Sequence, residues 1–297
     1  MTTVPTPPRV LSIAGTDPTG GAGIQADLKS IAAVGGYGMA VVTALVAQNT
    51  RGVRQVHVPP VAFLTQQLDA VSDDVTIDAV KIGMLGNAEI VAAVGEWLGR
   101  VRPPVVVLDP VMIATSGDRL LDADAESALC GLLPRAHLIT PNLPELAVLV
   151  GAPVAEGWAE ALDQARAVSE RFGVRVLAKG GHLAGPHAPD ALVDAASGST
   201  LEFPGTRIET TSTHGTGCSF SSAVATLRAS TGDWAVAVAE AKRWLHESIA
   251  HGAALQVGGG NGPISHFAGL WERGGLRTAG APSAEVTAGT PSGTAAS

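Results

Sequence analysis

The chain has 297 residues, of which 46% are hydrophobic and 15% charged, so its length and composition allow one large buried core. Its formal net charge of -8 opposes electrostatic binding to nucleic acid or to an anionic membrane, and we expect neither partner. Two cysteines exclude a disulfide framework, and no Cys/His spacing indicates a zinc site.

The first residues show no targeting signal. Residues 1–8 are rich in threonine and proline and lack a charged start followed by an apolar run, so we expect a flexible N-terminus. No apolar run reaches the roughly 18 residues that a membrane span needs. We therefore expect a cytoplasmic protein.

Short apolar runs alternate with longer amphipathic runs over residues 9–179. The apolar runs predict strands at 9–14, 40–46, 79–82, 105–108, 137–139 and 174–179. The amphipathic runs predict helices at 24–34, 61–71, 88–101, 123–133, 144–150 and 158–172. Near-continuous Val, Ile and Leu strands between helices favour an α/β fold whose parallel sheet is covered on both faces.

The pattern changes in the last third of the chain. Residues 190–203 predict a hairpin of two short strands, and helical patterning returns at 217–230 and 234–255. From residue 276 onward the chain is mostly Ala, Gly, Ser, Thr and Pro, which predicts a disordered tail at 276–297. Since no linker divides the body, we expect a single domain at 9–275.

A glycine-rich loop follows the first predicted strand, at the end of a strand where α/β sheets bind ligands. Its residues 15–23 lack the spacing of a Walker or dinucleotide motif, so a plain turn between strand and helix is one interpretation. The other interpretation is a backbone that closes over a small planar ligand, with Asp27 of the next helix pointing into the pocket. Gln48 follows the second strand, where its carboxamide either ties down a loop or offers a donor and an acceptor to an aminopyrimidine ring.

Charged residues follow three later strands. Asp109 is costly to place at a strand end unless it is solvated, caps a helix or lies near a cation. Asn142 and Glu145 have the spacing of a capping box, whereas Glu145 and Asp109 together would order the water shell of Mg²⁺. Lys179 either neutralises a phosphate or lies on the surface.

Residues 213–218, with the sequence THGTGC, precede a helical pattern of small residues. Two glycines around Thr216 allow a turn whose N–H groups bind one anion at the positive end of a helix. Cys218 would lie in the first helical turn, where its thiolate is favoured. Such a turn suits phosphoryl transfer, and a tight helix cap with a buried cysteine explains the motif equally well.

Seven segments in chain order carry a resemblance to a known family. They are SIAGTDPTGGAGIQADLK (12–29), TALVAQNT (43–50), KIGML (81–85), DPVM (109–112), TPNLPE (140–145), KGGH (179–182) and THGTGC (213–218). Over about residues 9–255 they resemble the hydroxymethylpyrimidine/phosphomethylpyrimidine kinases of thiamine biosynthesis, in the ribokinase-like superfamily. The resemblance implies a three-layer α/β/α fold with a central, mostly parallel sheet. It also implies two ATP-dependent phosphorylations, first of the pyrimidine's hydroxymethyl group and then of the monophosphate.

The resemblance assigns substrate-binding roles to residues of this chain. Gln48 would hydrogen-bond the aminopyrimidine. The residues that would help to line its pocket are Gly15, Ala22, Asp27, Met84 and Val111.

It also assigns catalytic and metal-binding roles. Cys218 stands where the superfamily's sugar kinases usually carry an aspartate base, so the resemblance implies that it is the base, with a positioning role as the alternative. Asp109 and Glu145 would serve Mg²⁺, and Lys179 would contact the phosphates of ATP. The anion hole would be formed by Gly215, Thr216 and Gly217.

Two other functions compete with this interpretation. A pyridoxal kinase on the same scaffold tends to carry a cysteine in the flap and an apolar residue at the position of Gln48, whereas this flap, 113–119, has Ala114. A catalytically silent relative would have lost the metal and anion-hole residues, which are present here. Thr115 replaces a lysine that the family often carries, so a flap contact to phosphate is in doubt. Relatives are commonly dimers, which implies a homodimer.

Overall fold

The computed structural model describes residues 6–112 and 123–276, and its strands form one nine-stranded sheet. The strands are β1 (Arg9–Gly15), β2 (Tyr37–Asn49), β3 (Gly52–His57), β4 (Ala79–Ile82), β5 (Val106–Leu108), β6 (Leu138–Ile139), β7 (Arg175–Lys179), β8 (Asp190–Asp194) and β9 (Ser199–Phe203). Their order across the sheet is β3-β2-β1-β4-β5-β6-β7-β8-β9.

Six neighbouring strands, in the spatial order β2-β1-β4-β5-β6-β7, pair in parallel. The antiparallel strand β3 extends one edge of the sheet, and β8 and β9 extend the other edge. The chain runs from β1 outward to β2 and then returns past β1 to β4, so the strand order reverses between β1 and β4. Ligands of open α/β sheets bind beyond the carboxyl ends of the strands at such a reversal. The expected mostly parallel α/β/α fold is confirmed.

Helices cover both faces of the sheet. Within the described residues they are α1 (Gly23–Ala33), α2 (Val61–Ser72), α3 (Ala88–Val101), α4 (Ala123–Leu132), α5 (Leu143–Val150), α6 (Trp158–Phe172), α7 (Thr216–Thr231), α8 (Trp234–Ala250) and α9 (Ala268–Arg273). Helices α2 to α6 contribute to one hydrophobic core, and α1, α7 and α8 contribute to the other. Successive strand residues alternate between the cores: Val80 and Ile82 belong to the first, and Ala79 belongs to the second.

Helix α7 lies at the centre of the second layer, where it packs against α1, α8, β1, β4 and β5. Its residues from Ser219 to Leu227 are all buried, and most of them are small. Small side chains let the helix approach the sheet and its neighbours closely. This packing fixes the start of α7 over the carboxyl edge of the central strands.

The sequence predictions differ from the structure at a few places. The antiparallel strand β3 was missed because four of its six residues are exposed, and three of those four are polar. The helix expected at 234–255 ends at Ala250, and a short 3₁₀ turn, Gly252–Leu255, follows it. The predicted tail, 276–297, and residues 1–5 lie almost wholly outside the described residues. No helix in the described part of the chain is long and apolar enough to cross a membrane.

Candidate active site

A cavity of about 660 Å³ opens at the carboxyl edge of the sheet. Residues that are distant in sequence meet there because parallel strands end on the same edge. Twelve of the thirteen site residues predicted from the sequence line this cavity. They are Gly15, Ala22, Gln48, Met84, Asp109, Val111, Glu145, Lys179, Gly215, Thr216, Gly217 and Cys218.

The glycine loop, residues 15–23, lies against the cavity, and a Cβ on any of Gly15, Gly21 and Gly23 would lie closer than 3.0 Å to another atom. A Cβ on Gly15 would lie 2.6 Å from Cε of Met84, and a Cβ on Gly23 would lie 2.4 Å from the carbonyl oxygen of Gly15. Gly23 also has φ of 55°, in the left-handed region. The loop therefore brings bare backbone to the cavity wall, as the interpretation of a backbone closing over a ligand requires.

Asp27 does not line the cavity, which corrects the expectation that it points into the substrate pocket. Its carboxylate is fully buried and accepts hydrogen bonds from Lys81 Nζ at 2.7 and 2.9 Å. Ser12 and Ser222 each donate a further hydrogen bond to it. Asp27 faces inward because α1 turns this side of the helix toward the sheet, where Lys81 needs a counter-ion.

Lys81 is a buried cation beneath the cavity that the sequence analysis missed. It is fully buried on β4 and also lines the cavity. Burial alone would lower its pKa, but attraction to Asp27, to Cys218 and to Asp109 raises it, so the ammonium stays charged. A lysine inside the short apolar run of β4 was the available signal, since such a residue needs a buried partner.

Gln48 lies near the end of β2, where the strand is irregular. The pairing register with β3 shifts between Ala47 and Gln48, which marks a β-bulge. Gln48 lines the cavity together with Val46, two residues earlier on the same side of the strand. Its carboxamide forms no hydrogen bond with the described residues, so donor and acceptor are both available to a ligand.

Asp109 and Lys179 form an ion pair in the cavity wall. Lys179 Nζ lies 2.8 Å from Asp109 Oδ1, which also accepts a hydrogen bond from Thr140. Burial opposes ionisation of Asp109, but the two lysines, Lys179 and Lys81, together with the Thr140 hydroxyl lower its pKa below the usual range. The Asp109 carboxylate is therefore charged near neutral pH, as a cation-binding role requires.

Glu145 confirms the capping-box interpretation of its motif and also lines the cavity, while its role toward Mg²⁺ stays a prediction. It forms a capping box with Asn142 at the start of α5, each side chain accepting the other's backbone N–H. It also lines the cavity, with 5% of its surface exposed. Burial and the neighbouring Asp109 raise the pKa of Glu145 to about 7, although Lys179 and the Asn142 N–H act in the opposite direction. Glu145 is thus poised to exchange a proton at neutral pH.

The anion turn, residues 213–218, meets the Asp109–Lys179 pair directly. A Cβ on Gly217 would lie 3.2 Å from Lys179 Nζ and 3.4 Å from Asp109 Oδ2. Gly215 has φ of 78° and caps α7 from outside the helix. The N–H of Thr216 donates to the carbonyl of Thr213, whereas Gly217 at the start of α7 lies against the ion pair, a geometry that favours an anion bound between helix and lysine.

Cys218 lies in the first turn of α7 and lines the cavity, but the expectation of a favoured thiolate is wrong. Burial raises the pKa of its thiol to about 11. Lys81 and a hydrogen bond from the Gly23 N–H oppose this shift, while Asp27 and Asp109 add to it. Desolvation outweighs the helix N-terminus here, so the sulfur carries its proton at neutral pH.

One half of the cavity was not predicted from the sequence. Its wall is formed by α8 and by the segment that follows β9, with apolar side chains of Ile208, Leu245 and Ile249. Lys242 closes this end by pairing with Asp190 at 2.6 Å. No compact motif marks these residues, because they are spaced like the buried face of any helix. The predicted flap at 113–119, with Ala114 and Thr115, lies outside the described residues.

The acidic residues of the cavity fit a hard cation such as Mg²⁺. Among residues 6–112 and 123–276, no group of three or more His, Cys, Asp and Glu side chains is arranged to hold a metal. Two carboxylates, of Asp109 and Glu145, nevertheless lie close enough for Asp109 to raise the pKa of Glu145. A cation at this place would relieve that repulsion, and Mg²⁺ is usually bound by one or two carboxylates plus waters and phosphates.

Solved structures similar to this chain include two kinds of vitamin kinase. A pyridoxal kinase from Bacillus subtilis in complex with ADP has a TM-score of 0.80 at 31% identity, covering 89% of this chain and 99% of that chain. A pyridoxal kinase from Staphylococcus aureus with AMP-PCP and pyridoxal has a TM-score of 0.79 at 29% identity, covering 89% and 95%. A phosphomethylpyrimidine kinase from Clostridium difficile has a TM-score of 0.70 at 38% identity, covering 82% and 99%.

Sequence relatives are named for thiamine biosynthesis or for the hydroxymethylpyrimidine/phosphomethylpyrimidine kinase. A multifunctional thiamine biosynthesis protein of Corynebacterium efficiens is 56% identical over 88% of this chain, which spans only 35% of that relative's length. The hydroxymethylpyrimidine/phosphomethylpyrimidine kinase of Escherichia coli is 50% identical over 88% of this chain and 98% of its own length. The family model described as phosphomethylpyrimidine kinase matches residues 17–265. The chain therefore belongs to the phosphomethylpyrimidine kinase family.

Proposed function

We propose that this protein phosphorylates 4-amino-5-hydroxymethyl-2-methylpyrimidine with ATP and then phosphorylates the resulting monophosphate to the diphosphate. One observation carries the proposal: a single cavity places an unpaired carboxamide, Gln48, together with a helix N-terminus that faces the Asp109–Lys179 pair. The first feature suits an aminopyrimidine ring, and the second suits a phosphoryl group in transfer. The kinase names of the relatives support the same conclusion.

The pyrimidine ring lies, in this proposal, between the glycine loop and the end of β2. Gln48 would pair with the amino group and ring nitrogen of the substrate. Bare backbone at Gly15 and the small side chain of Ala22 let a flat ring approach, and Met84 and Val111 supply apolar contacts around it. A ring that lacks the matching donor and acceptor would leave the carboxamide unsatisfied, which is the basis of selection.

The transferred phosphoryl group lies at the anion turn. The N–H groups of Gly215 and Gly217 and the ammonium of Lys179 would stabilise its charge without moving, whereas Thr216 holds the turn in shape by donating to the Thr213 carbonyl. Phosphoryl transfer has a loose transition state and needs little covalent help from the protein. We propose that Cys218, as a neutral thiol, holds the hydroxymethyl oxygen in line for attack.

ATP occupies the half of the cavity between α8 and the segment after β9. Apolar side chains of Ile208, Leu245 and Ile249 would contact the flat adenine base, and Lys179 would contact the phosphates. Mg²⁺ would be held by Asp109 and Glu145, where it neutralises phosphate charge as the transfer proceeds.

Pyridoxal kinase is the second candidate function, because solved pyridoxal kinases superpose with TM-scores of 0.79 and 0.80. The full-length chain should be assayed with ATP and Mg²⁺ on hydroxymethylpyrimidine, its monophosphate and pyridoxal. We expect the highest kcat/KM with the pyrimidines. Preferential phosphorylation of pyridoxal would replace the proposed function with the second one.

The role of Gln48 is tested separately by Gln48→Met in calorimetric titrations with hydroxymethylpyrimidine. Removing one polar match in a desolvated pocket costs about 1–3 kcal/mol, so affinity should fall about ten- to a hundredfold. Gln55→Met, on exposed strand β3, controls for the loss of a glutamine from this sheet edge. Unchanged affinity would remove Gln48 from the binding site. The expected homodimer and the cytoplasmic location stay predictions, and analytical ultracentrifugation would test the first.

A further inference from the structure

His214 stands directly before Gly215 in the anion turn, and the proposed function gives it no role. Its ring Nε2 lies 2.8 Å from Oδ2 of Asp17, a residue of the glycine loop. The Asp17 carboxylate is fully buried, and 13% of the His214 side chain is exposed. The pair joins two segments that are 197 positions apart in the sequence.

Asp17 organises the glycine loop around its carboxylate. Oδ1 accepts hydrogen bonds from the backbone N–H and the hydroxyl of Thr19, and Oδ2 accepts them from the N–H groups of Gly21 and Ala22. Burial opposes ionisation, but the hydrogen bonds from His214, Thr19 and Ala22 hold the pKa of Asp17 well below its usual range. An ionised carboxylate only accepts hydrogen bonds, so Nε2–H of His214 is the donor.

The backbones of the two segments touch at the same place. A Cβ on Gly215 would lie 1.8 Å from the carbonyl oxygen of Gly21, and a Cβ on Gly21 would lie 2.5 Å from Cδ2 of His214. The N–H of His214 donates to the carbonyl of Gly262 at 3.0 Å on its other side. The anion turn is therefore held between the glycine loop and the segment near residue 262, with the imidazole as its side-chain link.

We propose that Asp17 and His214 are positioning residues that fix the N–H groups of the anion turn relative to the substrate-binding glycine loop. This inference rests on the proposed function, because it assigns the turn to the transferred phosphoryl group. Losing the imidazole leaves Asp17 with its four hydrogen bonds to the glycine loop, so the pyrimidine pocket keeps its shape. The anion turn alone loses a restraint, and a small misplacement of catalytic groups lowers the rate more than the binding.

The test compares three variants of the full-length chain. His214→Leu removes the donor, His214→Gln keeps an N–H near the position of Nε2, and His57→Gln on exposed strand β3 is the control. We expect His214→Leu to lower kcat for hydroxymethylpyrimidine about ten- to a hundredfold with unchanged KM, and His214→Gln to recover most of that loss. The control should behave as the wild type.

Hydrogen exchange gives a readout that needs no substrate. In His214→Leu, amides of residues 213–218 should exchange faster, while the rest of α7 keeps its wild-type protection. Any one of three results would overturn the proposal. They are a wild-type kcat in His214→Leu, equal losses of kcat in His214→Leu and His214→Gln, and unchanged exchange of the amides of residues 213–218 in His214→Leu. If His214→Leu does not fold, His214→Asn takes its place, because its amide is too short to reach Asp17.

The two proposals fail in different ways. A wild-type protein that phosphorylates no pyrimidine contradicts the proposed function, and the exchange experiment still decides whether His214 restrains the turn. A wild-type kinase whose His214→Leu variant keeps full kcat leaves the proposed function intact and removes the positioning role.

Discussion

Of the lysine–aspartate pairs around the cavity, Lys81–Asp27 and Lys179–Asp109 differ in how completely they are closed. Lys81 and Asp27 are both fully buried, and Ser12 and Ser222 occupy the remaining acceptor positions of the carboxylate. In the second pair 14% of the Lys179 side chain is exposed, and Asp109 Oδ2 faces the Gly217 backbone.

This difference distinguishes a pair that stabilises the fold from a pair that is available to a ligand. In the closed pair the Asp27 carboxylate accepts four hydrogen bonds, so it has no acceptor position left for a ligand and the pair connects elements of the fold. An open pair keeps charge at a cavity wall, where a phosphate or a cation completes its coordination. The same residue types at the same edge of the sheet therefore serve different purposes, and their hydrogen-bond partners show which.

Breaking the closed pair should have the largest effect. Lys81→Met leaves the Asp27 carboxylate buried without its counter-ion, so the free energy of unfolding in urea should fall by about 3–5 kcal/mol. The double variant Lys81→Met with Asp27→Leu should lose less than the sum of the two single losses. Asp163→Asn, in the exposed pair with Arg166, should change little. A Lys81→Met protein as stable as the wild type would contradict the structural role of this pair.

Breaking the open pair should affect the reaction more than the fold. Lys179→Met removes one donor to the transferred phosphoryl group, and such losses lower kcat by about 10²–10³. Stability should change less than in Lys81→Met, because Thr140 still binds Asp109 and solvent reaches the site. Steady-state kinetics and urea unfolding on the same two variants measure both quantities. A larger loss of stability in Lys179→Met than in Lys81→Met, together with a smaller loss of kcat, would contradict the comparison.

Glu145, beside the open pair, predicts a pH dependence of stability. Its pKa is about 7 in the folded chain and near 4.5 when unfolded, so the folded state binds more protons between these values. The contribution of Glu145 to the free energy of unfolding should therefore fall as pH rises from about 4.5 to 7, and the difference between wild-type and variant profiles isolates it. Glu145→Gln keeps the capping box and should abolish this contribution, whereas Glu89→Gln controls for a lost carboxylate in an exposed first turn. Parallel wild-type and Glu145→Gln profiles would contradict the assignment.

Charges from both pairs act on the pKa of Cys218, and substitution of this residue should have the smallest effect. Its thiol has a pKa of about 11 and stays mostly protonated between pH 7 and 9. If the neutral thiol holds the substrate, as proposed, the first phosphorylation should not gain rate steeply over this range. Cys218→Ala should slow that step about tenfold through one lost hydrogen bond, and Cys218→Ser should restore most of it. A tenfold rise per pH unit that Cys218→Ala abolishes would establish a thiolate base instead.

The sequence was sufficient for features that repeat locally. Apolar runs located the central strands, and the glycines around Thr216 located the anion turn, because backbone geometry there depends on neighbouring residues. The sequence was insufficient where burial in the folded chain decides the position or the pKa of a side chain. Asp27 was assigned to the pocket since its partner Lys81 lies 54 positions away, and the helix N-terminus at Cys218 was overestimated since desolvation depends on the whole fold. The half of the cavity at α8 carries no motif at all.

The hydrogen bond between Ser222 and Asp27 spans 195 positions, which has a consequence for synthesis of the chain. Helix α7 fills the space beside α1 and β1, yet it is translated only after most of the sheet has left the ribosome. Until then Asp27 lacks one partner and the second core lacks its central helix. Because long-range contacts form late and slowly, we expect nascent chains that end before residue 213 to remain protease-sensitive along α1, and chains that include α7 to become resistant.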